Sequence, residues 1–144
     1  MSHAEPPLHR VQTSFERQGL MRHWGAQIER VEPGVCVLSL PYSDKVTQQQ
    51  AGFHGGAMGA LADIAAGYAG LTQAPAGMEV VTVEYKVNFL ASCQGGRLVA
   101  TGGVIKAGKR VLVTSAEVVH VADDGRETVC AVLQQTLMAV PKTY

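Results

Sequence analysis

Residues 54–72 read HGGAMGALADIAAGYAGLT, and this stretch decides the fold. Nineteen residues pass without a proline, and the run breaks only at Pro75 and Gly77. Despite its glycines, a stretch this rich in Ala and Leu is predicted to form one long helix. Leu61, Ile64, Tyr68 and Leu71 fall at i, i+3, i+7 and i+10, which is one apolar helical face.

Both flanks read differently. Upstream, Leu8, Val11 and Phe15 have helical spacing and predict a short helix to about Met21, after a frayed tail over residues 1–7. Trp24–Val31 and Val35–Leu40 read as strands joined by the Glu32-Pro33-Gly34 turn. Residues 41–53 show no period and read as a long loop. Downstream, Val81, Val83, Tyr85, Val87 and Phe89 alternate with Thr82, Glu84, Lys86 and Asn88, the period of a half-buried strand. Leu98–Ile105, Val111–Val121 and Thr128–Val140 are further strands. Residues 106–110 and the Asp123-Asp124-Gly125 turn connect them. Helix, two strands, long helix and four strands make an α+β domain spanning 1–144. The central helix must pack on one antiparallel sheet.

Composition narrows the function. The 144 residues carry 12 basic and 12 acidic side chains, only 17% charged, so no basic surface for nucleic acid is expected. No apolar run reaches the ~18 residues that cross a bilayer, and residues 1–10 lack the apolar core of a secretory signal. A cytoplasmic protein without membrane partners is expected. Cys36, Cys93 and Cys130 form no CxxC pair and read as half-buried or buried thiols, so no metal centre is expected. Charge is unevenly spread. From Lys45 to Met78 the only charged residues are Lys45 and Asp63.

Asp63 sits mid-helix between apolar residues, where Asp is a weak helix former and an unpaired charge is costly. One reading turns it to water or to a basic partner. The other makes it a general base or nucleophile, because Gly56, Gly59, Ala66 and Gly70 share its face and let a backbone or ligand come close. At the helix start, the N–H groups of Gly55 and Gly56 have no partner within the helix and lie at the positive end of its dipole, a candidate oxyanion site. Tight packing is the other role open to this glycine pair. His54 is either a cap or supporting residue, or an acid–base group. Gly55 and Asp63 are eight residues apart, roughly 12 Å along the axis at ~1.5 Å per residue. If both serve one reaction, they come from two copies of the chain, and a dimer shares its sites.

The run from Gln48 to Asp63, QQQAGFHGGAMGALAD, resembles the PaaI-like (phenylacetate-degradation) hotdog-fold thioesterases. A carboxamide is followed six residues on by His-Gly-Gly, and an Asp stands eight residues after the first Gly. The element order matches from about Phe15 to Val140. The resemblance implies a hotdog fold, an antiparallel sheet wrapped around the helix, with chains paired as dimers and dimers of dimers. It implies hydrolysis of acyl-CoA thioesters with no cofactor beyond the CoA of the substrate. On this sequence Asp63 would be base or nucleophile, and the partner's Gly55 N–H would polarise the carbonyl. Gln48 would stand where the family often has Asn, His54 would support the loop, and Gly56 would line the substrate. Thr82 lies near a Ser or Thr that relatives place by the carboxylate, although strand parity groups it with Glu84 and Lys86. Lys106, Lys109 and Arg110 are candidates for the CoA phosphates, or an ordinary solvated turn.

Two other functions fit the same residues. A hydratase or dehydratase would use His54 and Asp63 as an acid–base pair on the acyl β-carbon. A non-catalytic acyl-CoA binder would hold the ligand without turnover.

Overall fold

The computed structural model describes residues 5–144. Two short helices, α1 (Pro7–Phe15) and α2 (Gly19–Trp24), replace the single N-terminal helix expected to Met21. The chain breaks at Gln18, whose extended backbone caps α2, and Gly25 closes α2 with φ 73°. The Gly25 and Ala26 N–H groups bond back to Arg22 and Met21, a left-handed stop that only glycine adopts cheaply. Trp24 therefore ends a helix rather than starting a strand. Of the expected tail, residues 1–4 lie outside the described residues. Pro7 opens α1, where its missing N–H costs nothing.

Six strands follow: β1 (Gln27–Glu32), β2 (Val35–Pro41), β3 (Met78–Phe89), β4 (Arg97–Ala107), β5 (Val111–Val121) and β6 (Glu127–Pro141). They form one antiparallel sheet in the order β1-β2-β4-β5-β6-β3. The long helix α3 (Gly55–Leu71) lies in its concave face, the hotdog arrangement. Eleven of the seventeen α3 residues are buried, so the helix needs apolar or small residues nearly all round. The sheet covers one side, and α1 reaches the other through Phe15, whose ring centroid is 6.3 Å from that of Tyr68.

Glycines set how closely α3 approaches the sheet. A Cβ at Gly102 on β4 would overlap the backbone of Ala65, and one at Gly70 would overlap the Leu137 side chain. Ala66 and Gly70 thus serve contact with the chain's own sheet rather than an opening for a ligand. The thiols are buried, and burial pushes Cys36 and Cys130 up to about 12. Both stay protonated and unreactive near neutral pH.

β3 departs most from expectation. Its partner is β6, at the far edge of the sheet from β1. Thr82 pairs with Leu137 and Glu84 with Thr136, so Val83 is an extra residue, a β-bulge. The bulge reverses the alternation. Before it, Val80 and Thr82 face α3; after it, Tyr85, Val87 and Phe89 do. Glu84, Lys86 and Asn88 turn to the convex face beside Ser115 and Gln134. Thr82 is thus separated from Glu84 and Lys86, against the parity read from sequence. The strand is also more open than a half-buried one, with Val83 58% and Phe89 51% exposed.

Candidate active site

The loop before α3 is tied down at several points. After a 3₁₀ turn at Asp44–Val46, Thr47 and Phe53 bridge, closing a tight turn over Gln48–Gly52. Ala51 sits at its tip with φ 68°, an uncommon conformation for a residue with a Cβ. The Phe53 N–H donates to Cys93 O at 2.8 Å and the His54 N–H to Val46 O at 2.8 Å. The Phe53 ring packs edge-on against Tyr42 and His120. The residues read as a long aperiodic loop are therefore a fixed support.

This support delivers His54 as the N-cap of α3. The Gly56 N–H donates to His54 Nδ1 at 2.7 Å. A ring nitrogen that accepts must carry its lone pair, so the neutral ring holds its proton on Nε2. Gly56 is thereby occupied by the cap. Its neighbour differs, because no acceptor among the described residues takes the Gly55 N–H. It lies at the positive end of a seventeen-residue helix. Gln48, Phe53, Gly55, Met58, Phe89 and Ser92 border an open cavity of about 430 Å³. Gln48 thus shares a cavity with Gly55, and its side-chain oxygen accepts from the Gln50 N–H.

Asp63 is held elsewhere. Its Oδ1 accepts from Thr82 Oγ1 at 2.7 Å and from Gln135 Nε2 at 2.6 Å. Its Oδ2 has no hydrogen-bond partner among the described residues. Asp63 and Thr82 border a cavity of about 160 Å³ with Ser14, Gln18, Tyr68 and Val80. The Tyr68 hydroxyl there takes a hydrogen bond from Gln18 Nε2 at 2.7 Å and lies 3.0 Å from Ser14 Oγ. Burial raises the Tyr68 phenol, so it remains a neutral hydroxyl.

The predicted residues thus form two groups: Gln48, His54, Gly55 and Gly56 at one end of α3, Asp63 and Thr82 two turns along. The two cavities share no residue. Lys106 lies in β4 one residue before its end, and Lys109 and Arg110 belong to the following turn, all exposed and without an ion pair among the described residues. Strand register places that turn at the Thr82 end, since Val111 pairs with Met138 and Met138 with Val81. Gln135 was missed by sequence reading, as was Thr114, which donates to Gln135 Oε1 at 3.0 Å. Gln135 was legible only as a polar residue in the apolar run of β6. Among the described residues, no three His, Cys, Asp or Glu side chains are grouped to hold a metal.

The thioesterase superfamily model matches residues 52–127. The chain belongs to the thioesterase superfamily. A 1,4-dihydroxy-2-naphthoyl-CoA hydrolase of Listeria monocytogenes is 31% identical over 124 residues, covering 86% of this chain and 97% of that protein. A thioesterase family protein from Silicibacter pomeroyi has the same fold with a TM-score of 0.91 at 35% identity, over 94% of this chain and 99% of that one. The E. coli PaaI protein from the phenylacetic acid degradation operon shares the fold, with a TM-score of 0.83 at 22% identity over 95% of each chain. No helix of this superfamily member, among the described residues, is long and apolar enough to cross a membrane.

Proposed function

We propose that the protein is a cytoplasmic acyl-CoA thioesterase whose sites are each built from two chains. The observation that carries this reading is the separation of the carboxylate from the bare N–H. The midpoint of Gly55 and Asp63 is Gly59. A two-fold axis passing near Gly59 sets two α3 helices antiparallel and brings Gly55 of one chain opposite Asp63 of the other. Gly59 is buried beneath Tyr85, whose hydroxyl would lie 3.7 Å from a Cβ there, and Tyr85 belongs to the apolar edge strand β3, which pairs on one side only, with β6. Such an edge calls for a partner. Dimers then associate further as dimers of dimers.

In this site the thioester carbonyl oxygen points at the partner's Gly55 N–H, where negative charge develops. Asp63 Oδ2 either takes a proton from water as the water oxygen bonds to the carbonyl carbon, or bonds to that carbon itself. Collapse of the tetrahedral species breaks the C–S bond, and the CoA thiolate leaves and picks up a proton. In the nucleophile route, water then hydrolyses the anhydride. Gln48 offers its amide beside the oxyanion position, His54 holds the helix start, and Gly56 keeps the approach unobstructed. Lys106, Lys109 and Arg110, at the Asp63 end, supply charge for the CoA phosphates. No cofactor is required beyond the CoA of the substrate.

The test mixes two inactive variants. Asp63→Asn removes the carboxylate; Gly55→Pro removes the N–H at a helical position that accommodates proline. Each alone loses release of CoA thiol from a panel of acetyl-, hexanoyl- and benzoyl-CoA. In a heterodimer, one site carries both defects and the other none. Refolding an equal mixture makes half the dimers mixed, so about a quarter of wild-type activity returns. No return, or a near-normal kcat in Asp63→Asn, refutes the shared site. Hydration of an enoyl-CoA without thiol release assigns a hydratase instead, and tight binding of acyl-CoA without turnover a binding protein.

A further inference from the structure

We infer that Gln135, held by Thr114, is the positioning residue that decides which oxygen of Asp63 reacts; the inference rests on the thioesterase reading. Three facts converge. Gln135 and Thr114 are both fully buried, polar side chains in the sheet beneath α3. The relay runs in one direction: Thr114 Oγ1 donates to Gln135 Oε1, and Gln135 Nε2 donates to Asp63 Oδ1. The helix packs directly on it, since a Cβ at Gly67 would make an ordinary contact with Gln135 Oε1 at 3.9 Å and one at Gly70 would lie 3.3 Å from Thr114 Cγ2.

Chemistry fixes the amide orientation. A carboxylate only accepts, so Gln135 must turn its NH₂ to Asp63, which leaves its carbonyl for the Thr114 hydroxyl. Thr114 cannot be replaced by a non-donor without freeing the amide to rotate. With Gln135 below and Thr82 at the strand edge, Oδ1 carries two hydrogen bonds. Oδ2 is left with its lone pairs for water or the thioester carbon. The pair costs no extra burial penalty, because every buried side-chain polar atom among the described residues is paired.

Four proteins decide it, assayed for CoA release from benzoyl-CoA and hexanoyl-CoA, with thermal melts alongside: wild type, Gln135→Met, Thr114→Val and Thr114→Ser. Met keeps the length of Gln and removes the donor. A hydrogen bond to a charged group contributes enough that kcat is expected to fall about tenfold to a hundredfold in Gln135→Met, with KM within about threefold. Thr114→Val is expected to lose about threefold to tenfold in kcat, and Thr114→Ser, which restores the donor, to return within about twofold of wild type. A role in packing alone predicts the reverse for the threonine pair, because Val fills the space better than Ser. If Gln135→Met fails to fold, the Thr114 pair decides. Folded Gln135→Met and Thr114→Val with undiminished kcat overturn the inference alone. Wild type without any turnover overturns the thioesterase reading, and the inference falls with it.

Discussion

The two edges of the sheet are built to opposite ends. β1 is six residues long, carries Gln27, Glu29, Arg30 and Glu32 on its exposed positions, and shifts register between Ile28 and Arg30. Short length, charge and irregularity are how sheets avoid pairing with other chains. β3 is twelve residues long, and Val81, Val83, Tyr85 and Phe89 stand 44–58% exposed. Its bulge does a different task. Instead of spoiling the edge, the extra Val83 brings Thr82 onto the face of Tyr85 and Phe89, so one strand both supports Asp63 and lines the helix start. Exposed apolar surface on this protein is therefore positioned, and the edge of the sheet that supports Asp63 is also its unfinished edge.

The strongest way to break the comparison is to make β3 resemble β1. Val83→Glu with Tyr85→Lys is expected to turn an oligomer into monomers by light scattering. It is also expected to lower thioesterase activity at least about a hundredfold, since under the proposed shared site a monomer lacks half of each site. Retained oligomer and activity would show that β3 is not the joint. A smaller effect comes from Thr82→Val, which keeps shape and removes one donor to Asp63. A loss of about tenfold in kcat with an unchanged melting temperature is expected, and an unchanged kcat would detach the bulge from catalysis. The smallest lies on β1. Its Arg30–Glu32 ion pair, 2.9 Å long, joins side chains about half exposed. Arg30→Ala should shift stability by no more than about 0.5 kcal/mol in urea unfolding and leave both oligomeric state and activity alone.

Much of the candidate site is legible in the sequence because its signals are local. Asp63 stood out as the only acid in a long uncharged stretch, and His54-Gly55-Gly56 as a helix start with room for an approaching atom. Gln135 did not, because one polar residue in a strand carries no mark of what lies across from it. It reaches Asp63 only because β6 passes under α3 at Gly67, one turn along the helix from Asp63. Thr82 was read near the carboxylate by resemblance, while its strand parity pointed away, and the bulge resolves the conflict.

From the sequence came the elements and their short connections, namely the long helix and the β1–β2, β4–β5 and β5–β6 hairpins, together with the candidate site residues. These follow from periodicity and turn residues, which depend on neighbours along the chain. Only the tertiary structure decided that β3 crosses to pair with β6, that Val83 bulges, and that Thr114 and Gln135 sit beneath Asp63. Each of these depends on contacts between residues far apart in sequence, and no local pattern records a partner that distant. The eight-residue spacing between Gly55 and Asp63 belongs to both levels, since a rigid helix converts a count of residues into a distance.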